Sequence, residues 1–370
     1  MKSFSRRLLA HFDATRRDLP WRRAVNPYHT LVSELMLQQT VVATVIPYFN
    51  RFIARFPDLR SLAAANEADV LALWSGLGYY ARGRNLHRTA RAVVEQHGGV
   101  LPADESALRA LPGIGPYTAA AIAAIAFGIR TFPLDGNGAR VFARIFDERE
   151  AIDLPAVRLR LRQSAEALVP ADRPGDFAQA VMDLGATVCR TTSPRCEICP
   201  VATMCAAARA GRAEALPVRV QKTPKRVVTQ VCVALEDAGH VFLQAQPAGT
   251  LLGGTFTLPS AELGEDLKEA SDGLETARRV ASALGIAAAT PQLVGSFRHV
   301  FTHRDVTALV FRVPCTRAAS ADGRWVSTEG RQEIALATFT RKALGLLAAT
   351  VPAARRPPQR RARMLSPETM

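Results

Sequence analysis

Residues 111–140, LPGIGPYTAAAIAAIAFGIRTFPLDGNGAR, constrain the fold more than any other part of this chain. Pro112, Gly113 and Gly115 end one helix in a tight turn, and a run of small residues begins the next. Such a turn leaves backbone N–H groups unpaired at the positive end of a helix, where a phosphate can bind. Asp135 follows one helix length later. The pattern indicates a phosphate-binding hairpin beside a carboxylate, and a plain helical hairpin with an N-capping Asp is the alternative.

Length and charge indicate a two-domain protein that binds a polyanion. The chain has 370 residues, of which 48% are hydrophobic, enough for two ordinary cores. Its net charge of +14 favours nucleic acid as the partner, although an Arg-rich proteome would also raise the charge. Because no apolar run is long enough for a membrane span or a signal peptide, we expect a cytoplasmic protein without membrane contact.

Four of the six cysteines are clustered, which favours a metal centre over disulfides. They follow the spacing C-x6-C-x2-C-x5-C: Cys189, Cys196, Cys199 and Cys205. Four thiolates this close together can hold a tetrahedral metal ion or an iron–sulfur cluster, and the spacing alone leaves zinc open. Between them, Arg190 and Arg195 form a small basic loop that we expect to contact nucleic-acid phosphates.

Glu34 lies in a hydrophobic helical pattern, LVSELMLQQT at residues 31–40. A carboxylate in such a stretch is costly unless it is paired, or protonated because its pKa is raised. A raised pKa is what a general acid needs near neutral pH. The alternative, which position alone favours, is a Glu hydrogen-bonded to a neighbouring helix.

A second candidate binding loop, WSGLGYYARGR, occupies residues 74–84. Its tyrosines can stack on bases and its arginines can hold phosphates. A glycine turn with tyrosines packed into the core is the alternative that composition favours.

After residue 226 the periodicity changes from helices to strands. Residues 206–226 are small, basic and proline-bearing, which is typical of a linker. A hairpin is predicted around residues 237–240, a helix at 265–285 and a further strand at 306–313, which together indicate a small α+β domain. The run FRHVFTH at 297–303 is either a binding loop or an edge strand with two solvated histidines.

Taken together, these motifs resemble the helix-hairpin-helix base-excision DNA glycosylases, and specifically their adenine glycosylase branch. The resemblance rests on the L-P-G-x-G turn, the D-G-N at Asp135, the L-V-S-E-L-M-L-Q-Q-T segment and the G-L-G-Y-Y-A-R loop. The cysteine spacing is the one that this family uses for a [4Fe-4S] cluster. The implied fold is a mainly α N-terminal helix-hairpin-helix glycosylase domain with a [4Fe-4S] module, followed by an α+β nudix-like C-terminal domain. The expected bounds are 1–210 for the helical domain with the module at 189–205, 211–226 for a linker, 227–350 for the nudix-like lesion-recognition domain and 351–370 for a disordered basic tail.

The resemblance also implies roles for individual residues. Glu34 is the implied catalytic acid, Asp135 faces the target sugar, and Tyr117 assists there. Lyases of the superfamily carry a Lys at position 117, and since a Tyr cannot form a Schiff base we expect a monofunctional enzyme. The implied DNA and lesion contacts come from the hairpin glycines, the paired glutamines, a tyrosine wedge and a C-terminal reading loop: Gly113, Gly115, Gln38, Gln39, Tyr79, Phe301, Thr302 and His303.

Three positions depart from the family pattern. Gly138 stands where Val is usual, and we expect looser packing behind Asp135. Thr302 replaces a Ser, which keeps the hydroxyl but adds a methyl group, and Leu252 stands where Trp is usual. The hydrolase box of nudix enzymes is missing from the sequence, so we expect no metal-dependent pyrophosphate hydrolysis.

The sequence therefore predicts a monofunctional adenine DNA glycosylase with a [4Fe-4S] cluster. Its expected substrate is duplex DNA with adenine opposite 8-oxoguanine or guanine, and we expect a nucleoid-associated monomer. One alternative is another helix-hairpin-helix glycosylase or lyase. The other is a non-catalytic DNA-binding iron–sulfur protein, which would have no need of Glu34 and Asp135.

Overall fold

The computed structural model describes residues 2–221, 223–247, 250, 252–263, 270–286, 289–317 and 323–349. The first part of the predicted helix 265–285 and the predicted basic tail from residue 351 lie outside these ranges. The chain divides into two compact units. The first contains the described residues up to Lys225 and those within 243–257 and 322–338, and the second contains the described remainder. The domain bounds expected from the sequence stay a prediction.

Helices make up most of the first unit. They are α1 (Lys2–Thr15), α2 (Pro27–Leu37), α3 (Val42–Arg55), α4 (Leu59–Ala63), α5 (Glu67–Trp74), α6 (Ala81–His97), α7 (Glu105–Ala110), α8 (Pro116–Phe127), α9 (Gly136–Phe146), α10 (Pro155–Glu166), α11 (Pro174–Thr187) and α12 (Ala206–Arg209). Short 3-10 turns occur at Pro20–Arg22, Cys196–Ile198 and Ala202–Met204.

Helix ends in the first unit follow local chemistry. Asn26 caps α2 by accepting from the N–H groups of Tyr28 and His29, and Pro27 occupies the first helical position, where no N–H is needed. Helix α8 begins with a proline, Pro116, and its C-terminus is capped by Gly128 in the left-handed conformation. These signals explain why the sequence already predicts helices here.

Two hydrophobic clusters hold the first unit together. One is built on α2, α3, α5 and α6, with Phe52 and Trp74 fully buried in edge-to-face contact. The other is built on α1, α9, α10 and α11, with Phe142 and Phe177 at its centre. The two clusters leave a cleft lined by residues of α2 on one side and α9 on the other.

A mixed sheet with flanking helices follows residue 225. Its strands are β1 (Arg226–Asp237), β2 (His240–Ala245), β3 (Phe256–Thr257), β4 (Ser260–Glu262), β5 (Gln292–Val300), β6 (Arg304–Pro314) and β7 (Gly323–Val326), and its helices are α13 (Ala270–Ala283) and α14 (Thr338–Ala349). The strand order is β3-β2-β1-β6-β5, and β1 runs parallel to β6 over its length. The predicted hairpin is confirmed, because β1 and β2 pair antiparallel with Asp237 opposite His240.

The predicted fold class, helical first and α+β second, is confirmed. Across the part of the chain that the structure describes, no helix combines the length and apolar character needed to cross a membrane.

Gly175 provides a test of the helical packing. A Cβ built there would lie 2.7 Å from the Ala124 carbonyl oxygen and 2.8 Å from Ile125 Cα, both backbone atoms of α8. Gly175→Ala should therefore cost about 1–3 kcal/mol of unfolding free energy, measured by denaturant titration, because α8 and α11 must separate. Gly345→Ala is the control, since nothing lies within 4 Å of a Cβ at 345. Equal stability of the two variants would contradict this close approach.

Candidate active site

A cleft of about 670 Å³ in the first unit holds all three predicted catalytic residues. Glu34 comes from α2, Tyr117 from the first turn of α8, and Asp135 from the residue before α9. Tyr117 thus lies at the start of α8 and Asp135 at the start of α9, and α2 brings a second carboxyl group, Glu34, against Tyr117.

Glu34 is 6% exposed and accepts a 2.6 Å hydrogen bond from the Tyr117 hydroxyl at its Oε2. Burial raises the pKa of Glu34 to about 7, against the opposing effect of the Tyr117 hydrogen bond, and the nearby Asp135 charge adds to the rise. A carboxyl group with this pKa is partly protonated at neutral pH and can donate a proton. Glu34 is therefore hydrogen-bonded to a residue of a neighbouring helix and also has a raised pKa, so the two interpretations drawn from the sequence are compatible.

Tyr117 is a hydrogen-bond donor in this cleft, not a nucleophile. Burial, and then the negative charges of Glu34 and Asp135, hold the pKa of its phenol well above the usual range. A neutral phenol is a weak nucleophile but a good donor to a carboxylate. Because the Tyr117 hydroxyl is bonded to Glu34 inside the cleft, it is not placed to contact a phosphate at the surface of the hairpin.

Asp135 caps the N-terminus of α9 and accepts a 2.6 Å hydrogen bond from the Gly138 N–H. Burial raises the pKa of Asp135, while the N–H groups of Gly138 and Asn137 oppose this rise. The positive end of the α9 dipole also favours a negative charge at this position. The two carboxyl groups of the cleft are therefore both buried but have different donors, a phenol hydroxyl for Glu34 and backbone N–H groups for Asp135.

The expectation that Gly138 loosens the packing behind Asp135 is wrong. A Cβ at position 138 would lie 3.2 Å from Asp135 Oδ1 and 3.3 Å from the Phe132 ring. The phenyl ring of Phe132 and the carboxylate already fill the space that a side chain would take. The glycine lets both groups approach the start of α9 closely.

Two arginines at the cleft are missing from the predicted site. Arg22 donates to Asp183 Oδ2 at 2.7 Å and to Oδ1 at 3.1 Å, and Arg17 donates to Oδ1 at 2.8 Å through its Nε. Both arginines line the cleft, and the charge of Arg22 acts to lower the pKa of Glu34. Sequence reasoning missed the group because Asp183 lies 161 positions after Arg22.

The predicted phosphate-binding turn has the expected geometry. Gly113 adopts a left-handed φ of 81°, and a Cβ there would lie 2.4 Å from the Cβ of Asn85. Gly115 precedes Pro116 as the N-cap of α8, and no side chain caps that helix end. The first N–H groups of α8 therefore remain available to an anion.

The predicted DNA-inserting residues occupy two loops. Gln38 ends α2 and is half-buried, with its side-chain Nε2 3.4 Å from the Thr118 hydroxyl, whereas Gln39 is exposed. Tyr79 is 51% exposed in the loop before α6. Its neighbour Tyr80 is buried, so the alternative of core tyrosines holds for one of the two.

The four predicted cluster cysteines line one pocket behind α9. Burial raises the pKa of the Cys199 thiol to about 11, and the charges of the other three sulfurs add to the rise. Within the described ranges, no three His, Cys, Asp or Glu side chains are close enough together to hold a single metal ion. Four cysteine thiols that line one pocket are a donor set consistent with an iron–sulfur cluster.

Two arginines of α9 bond to the cysteine segment, and one of them, Arg140, also bonds to a residue of the cleft. Arg140 donates to Asn137 Oδ1 and to the Cys189 carbonyl, both at 2.9 Å. The fully buried Arg144 donates to Cys189 Sγ at 3.2 Å. The predicted contacts Arg190 and Arg195 lie beside them and are exposed.

The second unit carries the predicted reading loop. Phe301, Thr302 and His303 form the turn between β5 and β6, closed by the Phe301 N–H donating to the Arg304 carbonyl at 2.8 Å. Thr302 and His303 are exposed, while Phe301 packs against His299 and Phe339. The first part of the run 297–303 belongs to β5, which is the last strand of the sheet, so the edge-strand alternative applies to residues 297–300.

The chain matches two known families. Residues 32–167 match the HhH-GPD superfamily of base excision DNA repair proteins, and residues 230–346 match the NUDIX domain. The first match contains Glu34, Tyr117 and Asp135, and the second contains the turn between β5 and β6.

Individual relatives of the chain give a narrower classification than these two families. The chain is 34% identical over 398 residues to an adenine DNA glycosylase of Mus musculus, covering 92% of this chain and 77% of the relative. It is 47% identical over 227 residues to one of Rattus norvegicus, covering 58% of this chain and 44% of that relative. Thus the chain spans less than half of the rat relative in that alignment. Among solved structures, a thermostable thymine-DNA glycosylase is similar with a TM-score of 0.52 and 29% identity, covering 56% of this chain and 96% of the other.

Removing the Tyr117 hydroxyl tests the electrostatics of the cleft. Tyr117→Phe should raise the pKa of Glu34 further, because the donated hydrogen bond favours the ionised carboxylate. The measurement is an NMR titration of carboxyl-labelled Glu, with the Glu34 signal assigned by its loss in Glu34→Gln. Tyr48→Phe, which removes a hydroxyl bonded to the Ser75 carbonyl outside this cleft, is the control. A pKa that stays the same or falls in Tyr117→Phe would contradict this account.

Proposed function

Because the chain belongs to the adenine DNA glycosylase family, we propose that it removes adenine opposite 8-oxoguanine or guanine in duplex DNA. The proposal includes that the sugar–phosphate backbone stays intact. The observation that carries it is the Glu34–Tyr117 hydrogen bond beside Asp135 in one cleft. That arrangement places a carboxyl group with a pKa of about 7 beside a second carboxyl group that accepts a backbone N–H donor.

The reaction follows from these two carboxyl groups. The adenine must leave the base stack, because its glycosidic bond is unreachable inside the duplex. Glu34 then protonates a purine ring nitrogen, which makes adenine a better leaving group. As the bond breaks, positive charge develops on the sugar, and the carboxylate of Asp135 stabilises it. A water molecule then adds to the sugar and gives up a proton to Glu34 or Asp135, in the way that paired carboxylates serve glycoside hydrolysis.

The residues that line the cleft support the proposal that the enzyme does not cleave the DNA strand. A glycosylase that also cuts the strand needs an amine to form a Schiff base with the sugar. Among the described residues that line this cleft there is no Lys, and position 117 holds a Tyr whose phenol is neutral. This feature separates the proposal from the alternative of a lyase.

The DNA contacts in the proposal come from exposed loops and helix ends. The uncapped start of α8 would hold a phosphate, and Gln38, Gln39 and Tyr79 would enter the duplex around the mispair. The exposed Thr302 and His303 would read the oxidised guanine. The net charge of +14 supports action on nucleoid DNA, and we propose that the protein acts there as a monomer.

The proposed cofactor is a [4Fe-4S] cluster held by Cys189, Cys196, Cys199 and Cys205. When bound, it supplies metal–thiolate bonds that fix the fold of this segment. The segment's own residues then present Arg190 and Arg195 to the DNA backbone. Arg140 joins the Cys189 carbonyl to Asn137, so the segment also supports the start of α9, where Asp135 lies.

A labelled duplex with one adenine opposite 8-oxoguanine tests this function directly. Glu34→Gln should lower the single-turnover rate of base release by about 10²–10⁴-fold, the range for loss of a general acid, while DNA binding is kept. Half of each sample is treated with alkali, and cleavage only after alkali is expected. Glu95→Gln, an exposed change of the same kind on α6, is the control.

Other outcomes of that assay point elsewhere. Cleavage without alkali would mean a lyase. Unchanged base release in Glu34→Gln would remove Glu34 from the mechanism. Wild-type protein that binds the duplex but never releases adenine would favour the non-catalytic alternative.

The pH dependence follows from the raised pKa of Glu34. The form with protonated Glu34 is the active one. The rate of base release should therefore be highest well below pH 7 and should fall as the pH rises through about 7. Above that pH the rate should drop about ten-fold per unit, because one proton is lost. Single-turnover rates between pH 5.5 and 9, expressed relative to DNA binding at each pH, provide the measurement. A rate that rises through this range would contradict an acid role for Glu34.

A further inference from the structure

Two exposed residues of the first unit share an uncommon backbone conformation. Gln39 has a φ of 58° and Tyr79 a φ of 50°. Non-glycine residues rarely adopt positive φ values, and such residues persist only when their surroundings enforce them. The two residues lie 40 positions apart, one after α2 and one before α6, so each loop needs an external support.

The support for the first loop is the buried side chain of Arg82, in the first turn of α6. Its Nη1 donates to the carbonyls of Leu35 and Met36 at 2.9 Å each, and also to the carbonyl of Gln38. These are the last carbonyls of α2 and the residue before Gln39. One guanidinium nitrogen therefore caps α2 where the loop leaves it.

The second terminal nitrogen of the Arg82 guanidinium, Nη2, supports the second loop. Nη2 donates to the Gly78 carbonyl at 3.1 Å, directly before Tyr79, and to the Thr40 hydroxyl at 3.2 Å in the first loop. The Gly78 carbonyl also accepts from the Trp74 indole at 3.2 Å. Arg82 is thus bonded to both loops, on the residues that flank Gln39 and Tyr79.

The guanidinium also packs against aromatic rings. Its central carbon lies 5.3 Å from the centre of the Tyr79 ring and 5.6 Å from that of Trp74. Burial lowers the pKa of Arg82 to about 10, so the side chain stays charged at neutral pH. The planar guanidinium has two separate terminal nitrogens that bond to the two loops, whereas a Lys ammonium has a single nitrogen.

We propose that Arg82 is a positioning residue that ties the loops of Gln38–Gln39 and Tyr79 into one rigid edge, so that both enter DNA together. The structural part concerns only contacts within the protein, whereas the DNA part rests on the proposed function. A rigid edge inserts at a lower entropic cost than two independent loops. Arg82 therefore sets the preference for a mispair over undamaged duplex without contacting either.

Hydrogen exchange of two backbone amides tests the structural part. The Thr40 N–H donates to the Leu37 carbonyl in one loop, and the Leu77 N–H donates to the Trp74 carbonyl in the other. In Arg82→Lys both amides should exchange at least ten-fold faster, while amides in α9 and α11 keep their rates. Arg88→Lys is the matched control, since Arg88 is exposed on the same helix. Acceleration in one loop only, in neither, or throughout the protein would overturn the proposal.

A milder variant keeps the test valid if Arg82→Lys does not fold. Thr40→Val keeps the side-chain shape but removes the hydroxyl that Nη2 contacts in the first loop. If Arg82 couples the loops, exchange of the Leu77 amide in the second loop should rise about three-fold or more. An unchanged rate at Leu77 would mean that the loops are independent.

Affinity measurements test the DNA part. The probes are a duplex with a non-cleavable 2′-fluoroadenosine opposite 8-oxoguanine and the same duplex with a normal pair. Arg82→Lys should lower the ratio of the two affinities at least ten-fold, mainly by weakening binding to the mispair, and Arg88→Lys should keep the ratio. An unchanged ratio despite faster loop exchange would overturn the DNA part. If the wild-type protein shows no preference, the proposed function fails, and the exchange result still decides whether Arg82 couples the loops.

Discussion

The hydrogen bond between Tyr117 and Glu34 is the interaction on which the chemistry of this protein depends. It joins residues 83 positions apart and brings α2 against the start of α8. Burial removes water from the carboxyl group of Glu34, which raises its pKa to about 7. Asp135, the N-cap of α9, is also buried, which raises its pKa, but backbone N–H donors oppose this rise and favour its charge. One cleft thus holds two carboxyl groups prepared for different tasks.

Buried arginines that donate to backbone carbonyls occur at several places in this structure. Arg82 caps α2 and supports the loop before α6, while Arg140 and Arg144 connect α9 to the cysteine segment. Loops have backbone carbonyls without a regular partner, and a guanidinium can satisfy several of them at once. The cost is the desolvation of a charge, which several hydrogen bonds at close distance offset. This arrangement lets irregular loops present functional residues from a rigid helical framework.

Local sequence signals predicted much of the fold and the types of the site residues. Asn26, Pro27, Pro116 and Gly128 mark helix ends through capping and proline chemistry, and these signals act within a few residues. The pairing of Arg22 with Asp183 could not be predicted in this way, because nothing local distinguishes those two side chains from surface charges. The expectation for Gly138 was wrong because the Phe132 ring lies close to it, and the sequence does not show how that ring is oriented.

The sequence by itself determined the chemical groups available: a glycine hairpin, two carboxylates, a Tyr where a lyase needs a Lys, and four cysteines at a cluster spacing. These are properties of residue type and order, which are independent of packing. Only the tertiary structure decided what those groups can do. The pKa of Glu34 and the positive φ values of Gln39 and Tyr79 arise from burial and from contacts between distant segments. Solvation and hydrogen bonding are set by everything that surrounds a group, so they exist only once the chain has folded.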